Sequence, residues 1–220
     1  MTAIAIFVKT PGLSPVKTRL AADWGSANAQ RWHQLAAACV AASARQADIG
    51  PVYWAVAEPE ALGHSLWAGL PALQQGSGGL GQRMHSILDW LVEQHGSGLL
   101  LGADAPQWNP DWLRQAATWL HNDQDRLCIG PAHDGGFWAF GANRPLAGAS
   151  WTSVAYSQPD TARQFREVMS AYGEWLTLPT LTDLDQLGDL RNVLQELVSL
   201  GAQHAAHRLL MQWLETVHTV

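Results

Sequence analysis

The feature that most restricts this chain is the alternation of short apolar runs with longer segments of helical composition. Ala3–Val8 is a run suited to a strand buried on both faces. Ala27–Ala47 has the composition and length of a helix, and Val52–Ala57 follows as a second strand. A short helix is predicted over Glu60–Ala68. A longer one is predicted over Leu80–Gln94, where Leu80, Met84, Ile87, Leu88 and Leu91 recur at helical spacing. Leu99–Leu101 is another buried strand, ending at Gly102-Ala103-Asp104. Asp111–His121 is helical, with Asn109 placed to cap it. Leu127–Ile129 and Gly136–Phe140 read as two strands about a glycine-rich bend. Helices close the chain at Pro159–Tyr172, with Asp160 in its first turn, and at Asp185–Leu200 and Gln203–Val217, broken at Gly201. This order predicts an open, mostly parallel α/β sheet with helices on both faces. At 220 residues, one domain is expected over 1–220, with 201–220 a C-terminal helix.

Composition narrows the partners. An apolar fraction of 47% with 15% charged residues excludes intrinsic disorder. A net charge of −6 argues against nucleic acid as a partner. No run approaches membrane-spanning length, and no basic segment precedes Ala3–Val8, so a cytoplasmic protein is expected. Cys39 and Cys128 lie far apart and read as small buried hydrophobes.

In open α/β sheets ligands bind at the carboxyl ends of strands. Lys9–Arg19 follows the first strand, and the chain's two lysines, Lys9 and Lys17, both lie there with Arg19. A cationic Gly/Pro loop (Pro11, Gly12) entering a helix suits a nucleotide phosphate. It is not a P-loop: Val16 precedes the lysine, and Pro15 has no N–H to offer. Asp104, at the end of a buried strand, is placed to hold a hard cation such as Mg²⁺. Asp183 and Asp185 precede a helix, where capping is the plain interpretation and a second metal ligand, Asp185, the functional one. In Gly78-Gly79-Leu80-Gly81-Gln82-Arg83, Gly79 permits close approach of a base and Arg83 suits a phosphate or a base edge. Asp134-Gly135-Gly136 is a turn signal that also presents a carboxylate beside a strand end.

Taken together, these segments resemble bacterial GT-A-like glycosyltransferases of the arsenosugar-biosynthesis type, which are similar to phospholactate and molybdenum-cofactor guanylyltransferases. The matching stretches are Phe7–Pro11 with Lys17-Thr18-Arg19-Leu20, Leu80–Met84, Gly102–Pro106, Gly130–Phe137 and Asp183–Leu190, over about residues 3–200. Ala103, Phe137-Trp138 and Gln186-Leu187 depart from the family's usual residues. The resemblance implies a nucleotide-diphospho-sugar-transferase-like three-layer sandwich, with a seven-stranded, mostly parallel sheet and one antiparallel strand.

The reading that follows is a Mg²⁺- or Mn²⁺-dependent transferase using a nucleotide or nucleotide-sugar donor and a small-molecule acceptor. Asp104 and Asp185 hold the metal, and Lys17 and Arg19 neutralise the phosphates. Lys9, Pro11, Gly12, Gly79 and Arg83 bind the nucleotide. Asp134 orients or deprotonates the acceptor, and Gly135, Gly136 and Trp138 bind it. Glycosyl transfer is preferred, with nucleotidyl transfer and a non-catalytic nucleotide-binding protein as the alternatives. Of the twelve tryptophans, Trp108, Trp112 and Trp119 share a helical face suited to core packing or a homodimer surface. Trp138 and Trp151 are expected beside the acceptor. His204 and His207, one turn apart, are expected on a surface helix.

Overall fold

The computed structural model describes residues 1–218. Its elements are β1 (Thr2–Val8), α1 (Thr18–Trp24), α2 (Ser26–Ala47), β2 (Val52–Val56), β3 (Ala72–Gln74), α3 (Leu80–His95), β4 (Ser97–Gly102), α4 (Pro110–Leu120), β5 (Arg126–Pro131), β6 (Phe137–Ala142), α5 (Gly148–Thr152), α6 (Thr161–Met169), β7 (Glu174–Thr177), α7 (Leu190–Leu200) and α8 (Ala205–His218). The seven strands run in the order β3-β2-β1-β4-β6-β5-β7. All pairs are parallel except those of β6, which runs antiparallel to both β4 and β5. This is the α/β architecture the alternation predicts.

Strand alternation builds two cores. Ile4, Ile6 and Val8 of β1, with Leu99 and Leu101 of β4, pack on one face against the alanine-rich side of α2 and against α4. Ala3, Ala5 and Leu100 face the other way, onto α3, Trp151 and Phe165. A third cluster lies behind α2, where Trp32, Leu35 and Cys39 meet Leu184, α7 and α8. α2 is therefore covered on two sides, which explains its small residues. Asn109 caps α4 as expected, its side chain accepting from Asp111 N at 2.9 Å, with Pro110 opening the helix.

Several boundaries differ from expectation. Residues 60–68 form two short 3₁₀ turns rather than one helix. The predicted helix from Asp185 begins only at Leu190, after a 3₁₀ turn at Leu187–Asp189. His207 is not a surface residue, and His204, just before α8, is half-buried. His207 is fully buried, with Nε2 2.9 Å from the Pro106 carbonyl. His204 stacks on it at 4.0 Å, with Nε2 2.8 Å from Ser43 Oγ and Nδ1 accepting from His207 N at 3.2 Å.

Burial, then His207 and Arg208, push the His204 imidazole down to about 4. An unfolded histidine takes its proton near 6.5, so between about 6.5 and 4 the unfolded chain holds a proton that the folded one does not. Stability is therefore expected to fall as pH drops through that window. Calorimetric melting from pH 7 to 4.5 tests this: the parent's Tm should decline more steeply than that of His204→Gln.

Candidate active site

The loop after β1 is anchored at Thr10, which is fully buried. Its amide donates to Glu58 Oε2 at 2.9 Å, and its hydroxyl accepts from Trp67 Nε1 at 3.0 Å. Its carbonyl accepts from Leu13 N and Ser14 N at 3.1 and 3.0 Å. Pro11 and Gly12 form the outer bend of this turn and do not line the cleft below it, although Lys9 and residues 15–19 of the same loop do.

The loop returns to Lys17, which opens α1 in a left-handed conformation, φ 46° and ψ 49°, with no side-chain cap. That backbone costs a residue with a side chain about 1–3 kcal/mol. The side chain is fully engaged: Nζ lies 2.7 Å from Asp185 Oδ1 and 3.1 Å from Asp104 Oδ2. Arg19 approaches Asp185 at 3.9 Å. His33, on the buried side of α2, binds the other oxygen of Asp104 through Nδ1 at 3.3 Å, with Nε2 3.0 Å from the Lys9 carbonyl.

Strand order explains the meeting of distant residues. β1 and β4 are parallel neighbours with Phe7 opposite Gly102, so both carboxyl ends open on the same side. Residues 183–185 are not helical. Leu184 is fully buried in the third core, and a tight turn, with Asp185 N donating to the Asp183 carbonyl at 3.0 Å, leaves both flanking carboxylates within electrostatic reach of Lys17. Asp189 does the local capping instead, accepting from Asp185 N and Gln186 N at 3.1 and 2.8 Å.

The electrostatics are uneven. Burial disfavours charge on Lys17, but Asp104, Asp185 and Asp183 outweigh it and hold the ammonium well above its ordinary range. Burial likewise opposes ionised Asp104, and Lys17 and His33 bring it well below the usual carboxylate range. Asp183 goes the other way and is pushed up to about 7. Burial comes first; Lys17 pulls against it, and the like charges of Asp104, Asp134 and Asp185 add to it. Asp183 Oδ1 is buried without a hydrogen-bond partner.

A cleft of about 640 Å³ opens over this cluster, and Lys9, Arg19, Gly79, Arg83, Asp104 and Asp185 all line it. Arg83 is braced by its Nε donating to the Gly78 carbonyl at 2.9 Å. Gln75, also in the wall, is buried, and its amide nitrogen bridges the Val8 and Ala55 carbonyls at 3.2 and 2.8 Å. Ser157, a second non-glycine residue at positive φ, lies in the same wall. His33, Gln75 and Asp183 are the polar members that inspection of the sequence did not assign to the site.

The expected acceptor residues Asp134, Gly135, Gly136 and Trp138 lie outside this cleft. Asp134 is exposed on the β5–β6 turn, its Oδ1 accepting from Gly136 N at 2.8 Å; it does not line the cleft, but its charge reaches Asp183. Gly135 sits at φ +89°, and a Cβ there would come within 1.8 Å of the Pro159 carbonyl oxygen. The glycine thus serves the chain's own packing, and a valine there would disturb the turn before it disturbed an acceptor. Trp138 and Trp151 are buried, at 2% and 0% exposure. The Trp138 ring lies against Gly130 and stacks on Trp108 at 6.0 Å, so neither tryptophan offers a face to an acceptor.

The cluster suits a divalent cation. Among the described residues no three His, Cys, Asp or Glu side chains converge to ligate an ion by themselves. Mg²⁺ characteristically takes one or two carboxylates and completes its shell with water and phosphate oxygens. Asp104 and Asp185, with the unpartnered oxygen of Asp183 close by, match that chemistry.

A family profile described as an uncharacterized protein conserved in bacteria (DUF2064) matches residues 38–158. The chain belongs to that family. The DUF2064 match spans Gly79, Arg83, Asp104 and Asp134 but neither the Lys9–Arg19 loop nor Asp183 and Asp185. No curated protein matches the sequence. Among solved structures, the fold is similar to a provisionally assigned nucleotide-diphospho-sugar transferase from Desulfovibrio desulfuricans G20. That likeness has a TM-score of 0.84 at 22% identity, over 99% of this chain and 97% of the other. It is also similar to a nucleotidyl transferase from Methanothermobacter thermautotrophicus, with TM-score 0.58 and 10% identity over 90% and 99% of the two chains. A third likeness is to a CMP:2-keto-3-deoxy-manno-octonic acid synthetase complexed with CTP, with TM-score 0.54 and 12% identity over 90% and 98%. At these identities the likeness establishes the fold: this DUF2064 chain has the architecture of nucleotide-diphospho-sugar transferases. No helix among the described residues is long and apolar enough to cross a membrane.

Proposed function

We propose that this DUF2064 protein transfers a group from a nucleotide-activated donor to a small-molecule acceptor with the help of Mg²⁺ or Mn²⁺, glycosyl transfer being the preferred chemistry. The observation that carries this is the convergence of Lys17, Asp104 and Asp185 at the floor of a cleft whose rim is cationic. Asp104 and Asp185, with Asp183 near them, would hold the metal, which supplies charge neutralisation for the donor's phosphates. Lys9, Arg19 and Arg83 bring positive charge to the same phosphates from the rim. Gln75, fixed by two strand carbonyls, and the Gly78-Gly79 backbone form the wall against which a base would lie. His33 holds Asp104 in place. Asp134, beyond Asp183, is assigned to the acceptor.

Nucleotidyl transfer is the second reading, favoured by the position of Lys17. A cation held among the metal-side carboxylates neutralises an α-phosphate under attack as well as a departing diphosphate. The released product separates the two: pyrophosphate for nucleotidyl transfer, a nucleoside diphosphate for glycosyl transfer.

The test begins with thermal shifts of a panel of nucleotides and nucleotide sugars with and without Mn²⁺. A cognate donor at a hundredfold excess over its Kd stabilises by about 2.7 kcal/mol, roughly 5–10 °C for a chain of this length. This shift should require Mn²⁺ in the parent. Asp104→Asn should abolish the Mn²⁺ requirement along with most of the shift, because a neutral amide is a poor ligand for a hard cation. A variant with the parent's Mn²⁺-dependent shift would make Asp104 a turn residue and overturn the reading.

A further inference from the structure

We infer that the Lys17 ammonium is a built-in counter-ion: it occupies the cation position between Asp104 and Asp185 until a nucleotide phosphate draws it away, so metal and nucleotide are admitted together and metal alone is refused. The inference rests on the proposed metal–nucleotide reading of the cleft and concerns the order in which that site fills.

The geometry is the argument. The Lys17 side chain is only 6% exposed, although it belongs to a loop at the mouth of a wide cleft. Its single ammonium satisfies two carboxylates, at 2.7 and 3.1 Å, through the oxygens Asp185 Oδ1 and Asp104 Oδ2. A divalent ion held by those same oxygens would repel the ammonium strongly in a partly buried place. The two cations therefore compete. A bare ion would have to displace an ammonium with no other anion to go to, since the carboxylates around it are those the ion would take. A nucleotide brings its own phosphate oxygens, which supply that second home.

The loop is built for such an exchange. It is fixed at Thr10 by four partners, as described above, so the upstream half stays in place. Lys17 itself sits at left-handed φ and opens α1 with no side-chain cap. His33 keeps Asp104 in position from the other side through the same change.

Coupling of this kind is reciprocal and commonly amounts to about 5- to 150-fold. The experiment measures binding of Mn²⁺ alone, by the electron-paramagnetic-resonance signal of the free ion, to the parent, Lys17→Met and Arg19→Gln. Lys17→Met should bind Mn²⁺ about tenfold or more tightly than the parent. Arg19→Gln, which removes an exposed cation 3.9 Å from Asp185, should change the affinity by less than about threefold. Equal affinities for parent and Lys17→Met would overturn the counter-ion role.

A second measurement needs no variant. With two lysines in the chain, ¹⁵N-lysine labelling gives two side-chain ammonium signals, and the buried one is Lys17. Millimolar Mg²⁺ alone should leave that signal in place, whereas a Mg²⁺-saturated nucleoside triphosphate should shift it. Displacement by Mg²⁺ alone would overturn the inference even if Lys17→Met failed to fold. A panel in which no nucleotide binds would sink the functional reading instead, and the Mn²⁺-only and Mg²⁺-only arms would still decide the counter-ion role.

Discussion

Asparagine in place of Asp183 is expected to make the ligand-free protein harder to unfold at pH 8 and to abolish the proposed Mn²⁺-dependent nucleotide shift. Asp183 is half-buried, its Oδ1 is buried without a partner, and three other aspartates act on it. Its proton is held up to about 7, against about 3.9 in an unfolded chain. Between those values the folded state binds a proton that the unfolded state has lost. Stability therefore falls as pH rises through about 4 to 7, and the loss persists above that window. The full charge cost is of the order of a few kcal/mol. Asparagine avoids the charge but brings two N–H donors that need partners, which offsets part of the gain. A net gain of about 1–2 kcal/mol, or several degrees of Tm, is expected at pH 8. Melting in EDTA across pH 5–9 should show the parent declining toward high pH relative to Asp183→Asn. The same variant should lose the Mn²⁺-dependent shift with nucleotide. Opposite signs on stability and binding are what a residue kept for its ligand produces. If Asp183→Asn melted below the parent at pH 8, the carboxylate would be stabilising the fold, and its place among the metal ligands would be wrong.

The residues most legible in the sequence were those whose position depends on strand ends alone. Asp104 follows a run of leucines, and Lys17 and Arg19 follow a buried strand; parallel pairing of β1 with β4 then brings their ends together. Other elements left little trace. α1 has seven residues and no side-chain cap, so its first residues look like a continuation of the loop. β3 and β7 have three and four residues, half-exposed at the two edges of the sheet, and show no apolar run. Asp183 was hidden by local chemistry. Read as a helix start, the Asp-Leu-Asp segment suggests capping; it is instead a tight turn, with Asp185 N donating to the Asp183 carbonyl at 3.0 Å, Leu184 in the core and both carboxylates acting on Lys17. His33 lies within a 22-residue helix buried on two sides, and no local pattern distinguishes it from core. Trp138 looked like a stacking platform because aromatic residues beside a crevice often are. The deciding feature was Gly130 on the neighbouring strand, whose missing side chain makes room for the indole within the sheet face.

Turnover in Asp134→Asn is expected to fall by about 10²–10⁴, the range that accompanies loss of a general base, while donor binding stays near the parent's. The substitution is a narrow one. Asp134 Oδ1 accepts from Gly136 N at 2.8 Å, and an asparagine Oδ1 accepts in the same way, so the turn keeps its shape and the charge alone is lost. The turn is held independently as well. Ala132 N donates to the Gly136 carbonyl at 2.9 Å, and the Gly135 carbonyl accepts from Ala162 N at 2.8 Å. Asp134 is outside the wall of the nucleotide cleft but within electrostatic reach of Asp183. On the proposed reading, a base placed there would meet an acceptor arriving from the β5–β6 side, opposite the proposed donor site. Removing its charge should also ease the load on Asp183, so metal-dependent donor binding should hold or strengthen slightly. The measurement pairs the thermal shift with the donor found in the panel and a transfer assay against candidate alcohols and sugars. Donor affinity falling in step with turnover would place Asp134 in the nucleotide half of the site. Unchanged turnover would leave its carboxylate as the hydrogen-bond acceptor of a turn and move the search for a base elsewhere along 131–137 and 157–160, the segments packed around it.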